Sequence, residues 1–346
     1  MLKYPLSTVV RPRNPSLPVL VALGIMSCRP APETSPASVE PTPKRAEPVT
    51  ESVPASSSPA LSDLIPEIVL VPPASIVVEL EFFDEVCERE GFPETLSNEA
   101  AAELGDAKPG SPVTIVHTEG QTTVQVESAG CQEAEEYVAE SATLLILDQP
   151  AGPEAPGSRV ERMMAAPYLG FVGTSPVPEA RLDAPPGVAW DSAFGERVRG
   201  QVAALVSEMV ATRTKQCRTQ IDEGNIRAPS VEAIQAAVQR VEAWQLAASP
   251  PVVWMEFGDP AITFSCYEDY VDTVGVLLDV ESGAKLLTVE SNNGVELRWV
   301  TDLDGDGAKE GLVDVQWLED GGHKIILLAR GESGWAETRL YEFDGP

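Results

Sequence analysis

The sequence predicts an α+β fold, in which antiparallel strands predominate and two amphipathic helices pack on them. Two hydrophobic periods support this prediction. Between residues 190 and 250, apolar side chains recur every three or four positions, which is the spacing of an amphipathic helix. From Pro251 to the end the period is two, which is the spacing of strands. Runs of helices and strands that do not alternate along the chain favour an α+β architecture over a parallel sheet.

A smaller, β-rich unit is expected over residues 61–148. Residues 113–118 and 121–128 alternate apolar and polar around Glu119-Gly120, which is a hairpin signal. A short helix is expected from Ser97, as its N-cap, to Leu104. Two further segments read as strands: 76–83 and 142–147.

Residues 149–188 read as a linker, because they contain eight prolines. One apolar patch, residues 163–172, interrupts this composition. We expect a short strand there, laid against a neighbouring element.

The larger unit, residues 189–346, is expected to begin with the two helices. Asp191 is the expected N-cap of the first, and Ser230 that of the second. The second helix is expected to end at Pro250-Pro251. The apolar face of the first comprises Phe194, Val198, Val202, Leu205 and Met209; that of the second comprises Ile234, Val238, Val241 and Trp244.

Eight short runs rich in β-branched or aromatic residues follow the second helix, and turn residues separate several of them. They predict an antiparallel meander. The runs are 252–257, 261–267, 273–280, 284–290, 294–300, 311–318, 323–330 and 335–343.

The N-terminus has the features of an export signal. Residues 1–16 are basic, residues 17–26 are a short apolar run, and Ser27-Cys28 follows. The apolar run is too short to span a bilayer as a helix, which needs about 20 residues. The segment resembles a bacterial lipoprotein signal, although Met26 replaces the usual small residue. This resemblance implies a lipidated Cys28, and Arg29 in place of a retention Asp implies the outer membrane. An ordinary cleaved signal peptide is the alternative.

Residues 29–60 are expected to form a disordered tether, since they contain eight prolines and no aromatic residue. The chain has 24 Lys and Arg against 54 Asp and Glu, a net charge of -30. Such a surface repels nucleic acid and anionic lipids. Attachment to the membrane is therefore expected through the lipid anchor. An envelope protein or a glycan is the other expected partner. The side of the outer membrane that the protein faces stays open.

Five cysteines occur, and lipidation of Cys28 would leave an even number. An oxidising compartment then favours two disulfides. Four cysteines allow three pairings. We favour Cys87 with Cys131 and Cys217 with Cys266, because each pair lies inside one expected unit.

Residues 302–310 contain the motif that carries chemistry. Asp302, Asp304 and Asp306 alternate with Leu303 and with glycine, so three carboxylates meet in one short loop. Their mutual repulsion favours a bound cation, and calcium accepts six to eight oxygen ligands in flexible geometry. The loop resembles those of EF-hands, dockerins and, with strands on both sides, integrin-like repeats. This resemblance implies a weak structural calcium site.

The expected calcium ligands are the side chains of Asp302, Asp304 and Asp306, the backbone carbonyl of Ala308, and Glu310 either directly or through water. The alternative is an acidic solvated turn.

The sequence offers little for catalysis. It has only two histidines, His117 near a hairpin tip and His323 after a Gly-Gly turn, and we expect His323 to be exposed. No serine-hydrolase or zinc-protease motif occurs. We therefore expect a non-enzymatic envelope lipoprotein with a binding role. The alternative is a membrane-tethered hydrolase that uses acidic residues, for example on a glycan, and a cleft with two carboxylates would favour it.

Overall fold

The computed structural model describes residues 68–80, 84–132, 142–153, 167–173, 176–177, 179–266, 272–317, 322–331 and 333–343. All of them belong to one compact unit, residues 56–346. The expected signal peptide, Cys28 and the expected tether lie outside the described residues.

Strands outnumber helices in the described part of the chain. The strands are β1 (Ile68–Val71), β2 (Val77–Leu80), β3 (Pro112–His117), β4 (Gly120–Gln132), β5 (Ala142–Leu147), β6 (Tyr168–Val172), β7 (Glu242–Ala248), β8 (Pro251–Phe257), β9 (Thr273–Asp279), β10 (Lys285–Ser291), β11 (Gly294–Thr301), β12 (Glu310–Gln316), β13 (His323–Gly331) and β14 (Gly334–Phe343). The helices are α1 (Asp84–Glu90), α2 (Asn98–Ala102), α3 (Ala193–Gln216), α4 (Arg218–Asp222), α5 (Val231–Val238) and α6 (Pro260–Thr263).

The described strands form three antiparallel sheets. Sheet I has the order β1-β6-β3-β4-β5-β2, sheet II the order β10-β9-β8-β7, and sheet III the order β11-β12-β13-β14. Strands β1 and β2 end sheet I on opposite sides, yet only residues 72–76 separate them. Five residues span less than about 20 Å, so sheet I must curl until its two edges are close.

The central strands of sheets II and III, β8, β9, β12 and β13, are buried on both faces, which explains their nearly continuous apolar runs. Along β13, Ile325 and Leu327 belong to a core shared with sheet I, while Ile326 and Leu328 belong to a core shared with sheet II. Along β8, Trp254 faces the second of these cores, and Val253 and Met255 face a third core under α3 and α5. The layers therefore follow the order sheet I, sheet III, sheet II, helices.

The core between sheets I and III, which we call core 1, contains residues of both units that the sequence predicts. The core between sheets II and III is called core 3 below. The division into 61–148, a linker at 149–188 and 189–346 stays a prediction. The short strand expected within residues 163–172 is β6, and it lies between β1 and β3 rather than at an edge.

The helix predictions are confirmed in part. Ser192, not Asp191, caps α3, because its Oγ accepts from the backbone N–H of Gly195 at 2.9 Å. Ser230 caps α5 as expected, but that helix ends at Val238. Residues beyond it turn and pair with β8 as β7, so Trp244 lies on a strand.

One strand prediction needs correction, and another is confirmed over its described part. The run 261–267 contains the short helix α6, whose first turn is capped by Asp259 through an acceptor bond from Ala261. The strand expected over 76–83 is observed as β2, Val77–Leu80, and residues 81–83 lie outside the described residues.

Both favoured disulfides are present. Cys87 of α1 is bonded to Cys131 of β4. Cys217, at the end of α3, is bonded to Cys266. Each closes a loop of 44 to 49 residues, which the chain-entropy model equates with about 4 kcal/mol of stabilisation.

Candidate functional site

The Asp-rich loop lies between β11 and β12, and each aspartate uses one carboxylate oxygen to shape it. Asp302 Oδ1 accepts from the backbone N–H of Gly305 at 2.7 Å, and Asp304 Oδ1 accepts from that of Asp306 at 3.0 Å. Asp306 Oδ1 accepts from the backbone N–H of Ala308 at 2.6 Å. Among the described residues, none donates a hydrogen bond to the Oδ2 atoms of these carboxylates.

The three aspartates converge. Asp302, Asp304 and Asp306 each offer an oxygen, and these oxygens lie within 4.8 Å of one another. In the described chain, no other group of three His, Cys, Asp or Glu meets this condition. Burial raises the pKa of Asp304, and the charges of Asp306 and Asp302 raise it further. The loop therefore concentrates negative charge that favours a proton or a cation.

Glu310, the last residue of the loop, holds its start through a hydrogen bond with Leu303. Its side chain is fully buried, and Oε2 accepts from the backbone N–H of Leu303 at 2.7 Å. Its other oxygen, Oε1, is buried and has no hydrogen-bond partner among the described residues. Burial raises the pKa of Glu310 to about 8, and the charges of Asp304 and Asp302 contribute to that rise. Glu310 lies outside the group defined by the 4.8 Å limit, but it interacts electrostatically with two of its members.

The loop is held between the cores on either side of sheet III. Leu303 belongs to core 1 and Ala308 to core 3, and both are almost completely buried. The backbone N–H of Val177 donates to the Leu303 carbonyl at 3.3 Å, and that of Lys309 donates to the Leu246 carbonyl at 2.7 Å. Loop geometry is thus coupled to sheet II and to the segment that follows β6.

This donor set fits calcium. It offers carboxylate oxygens from three aspartates, with a buried carboxyl behind them, and it contains no nitrogen or sulfur ligand. Hard oxygen donors suit calcium better than zinc or copper. Arg330 forms an ion pair with Asp306, but its Nη1 lies 3.8 Å from Asp306 Oδ2, which is too long for a hydrogen bond.

A cavity of about 310 Å³ lies at the free edge of β11. We call it the β11-edge cavity; Glu242, Trp244, Glu256, Glu296, Asp314 and Gln316 are among its lining residues. Glu256 is its most buried glutamate. Glu256 Oε1 accepts from Trp254 Nε1 at 2.9 Å and from the backbone N–H of Leu297 at 2.6 Å. Burial raises the pKa of Glu256 to about 7.

Asp314 also lines this cavity, but its pKa is lowered, whereas that of Glu256 is raised. Its Oδ2 accepts from Arg298 Nη2 and from Gln316 Nε2, both at 2.9 Å. His323 Nδ1 lies 2.8 Å from Asp314 Oδ1, although the two atoms are not aligned as a regular hydrogen bond. Burial opposes ionisation, but these three neighbours hold the pKa of Asp314 below its usual value.

The expectation that His323 is exposed is wrong. The side chain is buried, because β12 and β13 pair His323 with Gln316, beside the Asp314 carboxylate and the ring of Tyr341. His117 is buried as well, and its Nε2 lies 2.9 Å from Thr122 Oγ1. Burial lowers the pKa of His117. Both histidines are therefore buried, and each packs against neighbouring side chains of the fold.

The predicted site residues are therefore placed as follows. The three aspartates lie together, Glu310 accepts a hydrogen bond from the backbone N–H of Leu303 within the same loop, and Ala308 donates its N–H to Asp306. Sequence reasoning did not find the β11-edge cavity. The available signal was a carboxylate inside an apolar strand, Glu256 within Val252–Phe257.

No helix within the described residues is both long and apolar enough to cross a bilayer. No protein-family model, no curated protein and no solved structure matches the chain.

Proposed function

We propose that this chain is a lipid-anchored protein of the bacterial cell envelope, without enzymatic activity, whose folded body holds a structural calcium ion in the loop 302–310. The observation that carries the calcium proposal is Glu310. Glu310 is fully buried, one of its oxygens has no hydrogen-bond partner among the described residues, and it interacts electrostatically with Asp304 and Asp302. Such a carboxyl group is costly unless a proton or a cation compensates it.

The position of the loop supports a structural role. Leu303 and Ala308 anchor it in cores 1 and 3, and its backbone bonds to Val177 and Leu246. A cation that neutralises the aspartates would fix the join between β11 and β12, and with it the contact between the layers. Extracellular calcium modules bind with dissociation constants of about 10⁻⁴ to 10⁻³ M, and a loop of this kind suits that range.

The anchor proposal rests on the sequence. Cys28 follows a basic segment and a short apolar run, and a Pro-rich, aromatic-free segment separates it from the folded body. The two disulfides agree with an oxidising compartment. A lipid on Cys28 would hold an acidic body near the membrane at a distance set by the tether, on the outer membrane.

Calcium binding is tested directly by isothermal titration calorimetry. We expect one calcium per chain, and Asp304→Asn should abolish binding, because the amide keeps the hydrogen bond to Asp306 but removes the charge. Asp279→Asn is the matched control, since Asp279 also accepts backbone N–H groups in a turn, from Glu281 and Ser282. No binding by the unmutated protein, or equal loss in both variants, would overturn the calcium proposal.

The anchor is tested by fractionation. Cys28→Ala should move the protein from the membrane fraction to the soluble fraction, because lipidation needs the thiol. Ser27→Ala keeps a small residue before the cysteine and should leave the protein membrane-bound. Retention of Cys28→Ala in membranes would contradict the anchor.

A hydrolase is the second candidate, because one specific observation favours it. Glu256 and Asp314 line the same cavity, and their surroundings push their pKa values in opposite directions, the arrangement that an acid and a base require. Against this, Asp314 is held by Arg298, Gln316 and His323 and is poorly placed to attack. Glycan hydrolysis that disappears in Glu256→Gln but persists in Glu337→Gln would establish this candidate in place of the first.

A further inference from the structure

The β11-edge cavity has a charge and shape that no part of the calcium proposal uses. We propose that it binds a small organic cation, a primary ammonium group carried on an alkyl chain. The argument rests on the carboxylates of the cavity, on the free oxygen of Glu256, on the spacing of the acids and on Trp244.

Glu256 lines the cavity and has one oxygen that the described part of the protein does not use. It follows Trp254 by two residues on β8, so its side chain lies on the face of sheet II that packs on sheet III. Both hydrogen bonds that it accepts, from Trp254 and Leu297, reach Oε1. None of the described residues donates a hydrogen bond to Oε2, which leaves that atom as an acceptor for a ligand.

The surroundings favour a positive charge. Glu242 of β7, Glu296 of β11 and Asp314 of β12 line the cavity with Glu256, and no Lys, Arg or His among the described residues lines it. Arg298, next to the cavity, pairs with Glu296 at 2.9 Å and with Asp314 at 2.9 Å. Glu242 and Glu256 keep no such partner in the described part of the chain. Burial and the charges of Glu296 and Glu242 raise the pKa of Glu256, which a bound cation would reverse.

The spacing of the acids favours a longer ligand over a bare metal ion. The carboxylates of this cavity do not converge within 4.8 Å, whereas those of the Asp-rich loop do, as judged over the described residues. A bare divalent ion needs such convergence. A cavity of about 310 Å³ instead holds a small molecule.

Trp244 supplies the apolar wall. It is half-buried, packs against core 3 and pairs across the strands with Trp254. An indole beside carboxylates is a common site for organic ammonium groups, through cation–π contact and van der Waals contact with the alkyl chain. A neutral sugar would leave the excess of carboxylates uncompensated.

The experiment titrates the calcium-loaded mature protein with three probes, so that the Asp-rich loop is already saturated. The probes are cadaverine as a free amine, Nα-acetyl-lysine amide as a lysine side chain, and 1,5-pentanediol as the neutral control. Cadaverine is expected to bind and the diol not. Binding of the lysine derivative as well would assign the site to lysine side chains of a protein; binding of cadaverine alone would assign it to free amines.

The variants test the geometry. Glu256→Gln should weaken cadaverine binding about tenfold, by loss of a charge-assisted hydrogen bond. Glu242→Gln, which changes an exposed side chain and leaves the core intact, should weaken it about threefold. Glu337→Gln, on the far strand of sheet III, should change it less than about twofold.

Proton release gives an independent readout. Because the pKa of Glu256 is about 7, a cation that binds beside it at neutral pH should release a fraction of a proton, seen as a difference in binding enthalpy between Hepes and Tris buffers. Glu256→Gln should remove this difference. Equal affinity for cadaverine and the diol, or equal binding by Glu256→Gln and Glu337→Gln, would overturn the proposal, and neither result bears on calcium.

Discussion

Glu310 and Glu256 are two buried glutamates with raised pKa values, about 8 and about 7, in very different surroundings. Glu310 is enclosed behind three aspartates whose oxygens converge within 4.8 Å. Glu256 faces an open cavity in which the other acids are spread over three strands. Under our two proposals, the same residue type serves two different ligands, a compact metal ion at the Asp-rich loop and an extended organic cation in the β11-edge cavity.

The difference arises from local sequence in one case and from packing in the other. The Asp-rich loop is a single stretch of nine residues, and its backbone N–H groups orient the carboxylates. Glu256, in contrast, reaches across from β8 to the bulged edge of β11, where Arg298 is the extra residue. The Asp-rich loop orients its carboxylates through its own turn, although cores 1 and 3 hold it in place, whereas the β11-edge cavity exists only because sheets II and III pack together.

The largest expected effect is a difference in the free energy of unfolding between variants of Glu310 and of Glu256. In saturating calcium, Glu310→Ala should lower the free energy of unfolding by about 4 kcal/mol, through loss of the ion and of the acceptor for Leu303. Glu256→Ala should cost about 2 kcal/mol, because water in the cavity can replace the acceptor. Urea unfolding of both variants measures this. Equal losses in calcium would contradict the distinction.

The next effect is the pH dependence that Glu256 confers. Its folded pKa of about 7 lies above the unfolded value near 4.5, so the folded state binds more protons between these values. The free energy of unfolding should therefore fall as pH rises from about 4.5 to 7, by up to about 3 kcal/mol.

Urea midpoints at pH 5 and pH 8, in saturating calcium, test this against Glu256→Gln. The variant should lose most of the decline, and Glu337→Gln should keep it. A decline of the same size in Glu256→Gln would assign it to other groups.

The smallest expected effect concerns the backbone of the Asp-rich loop. Gly307 has φ +82°, and a Cβ placed there meets no atom within 4 Å. Gly307→Ala should therefore cost about 1 kcal/mol from backbone strain alone. Gly187→Ala, where the Cβ is equally unobstructed and φ is not positive, is the control and should be nearly neutral. An unchanged midpoint in Gly307→Ala would show that the loop geometry is not demanding.

Local features could be predicted from the sequence. The Asp-rich loop, the hairpin of β3 and β4 and the N-cap Ser230 each depend on neighbours in the chain. The pairing of the four cysteines could also be predicted, because each disulfide joins the two cysteines that are neighbours along the sequence.

Features that depend on distant residues could not. Val238, Val241 and Trp244 have helical spacing, but pairing with β8 draws Trp244 into a strand. The β11-edge cavity combines residues of β7, β8, β11 and β12, and a single sequence does not show which strands become neighbours. The expected exposure of His323 is wrong for the same reason, since the groups that bury it belong to the adjacent strands.

The central claim, that the Asp-rich loop holds a structural calcium ion, is tested most directly by thermal unfolding of the mature protein with calcium and with chelator. Saturation to about 100 times Kd adds about 2.7 kcal/mol, which predicts a rise in Tm of several degrees. Magnesium should give a smaller rise, because it prefers smaller octahedral sites. Asp304→Asn should show no difference between calcium and chelator, while Asp279→Asn should behave as the unmutated protein. An equal Tm with calcium and with chelator in the unmutated protein would contradict the account.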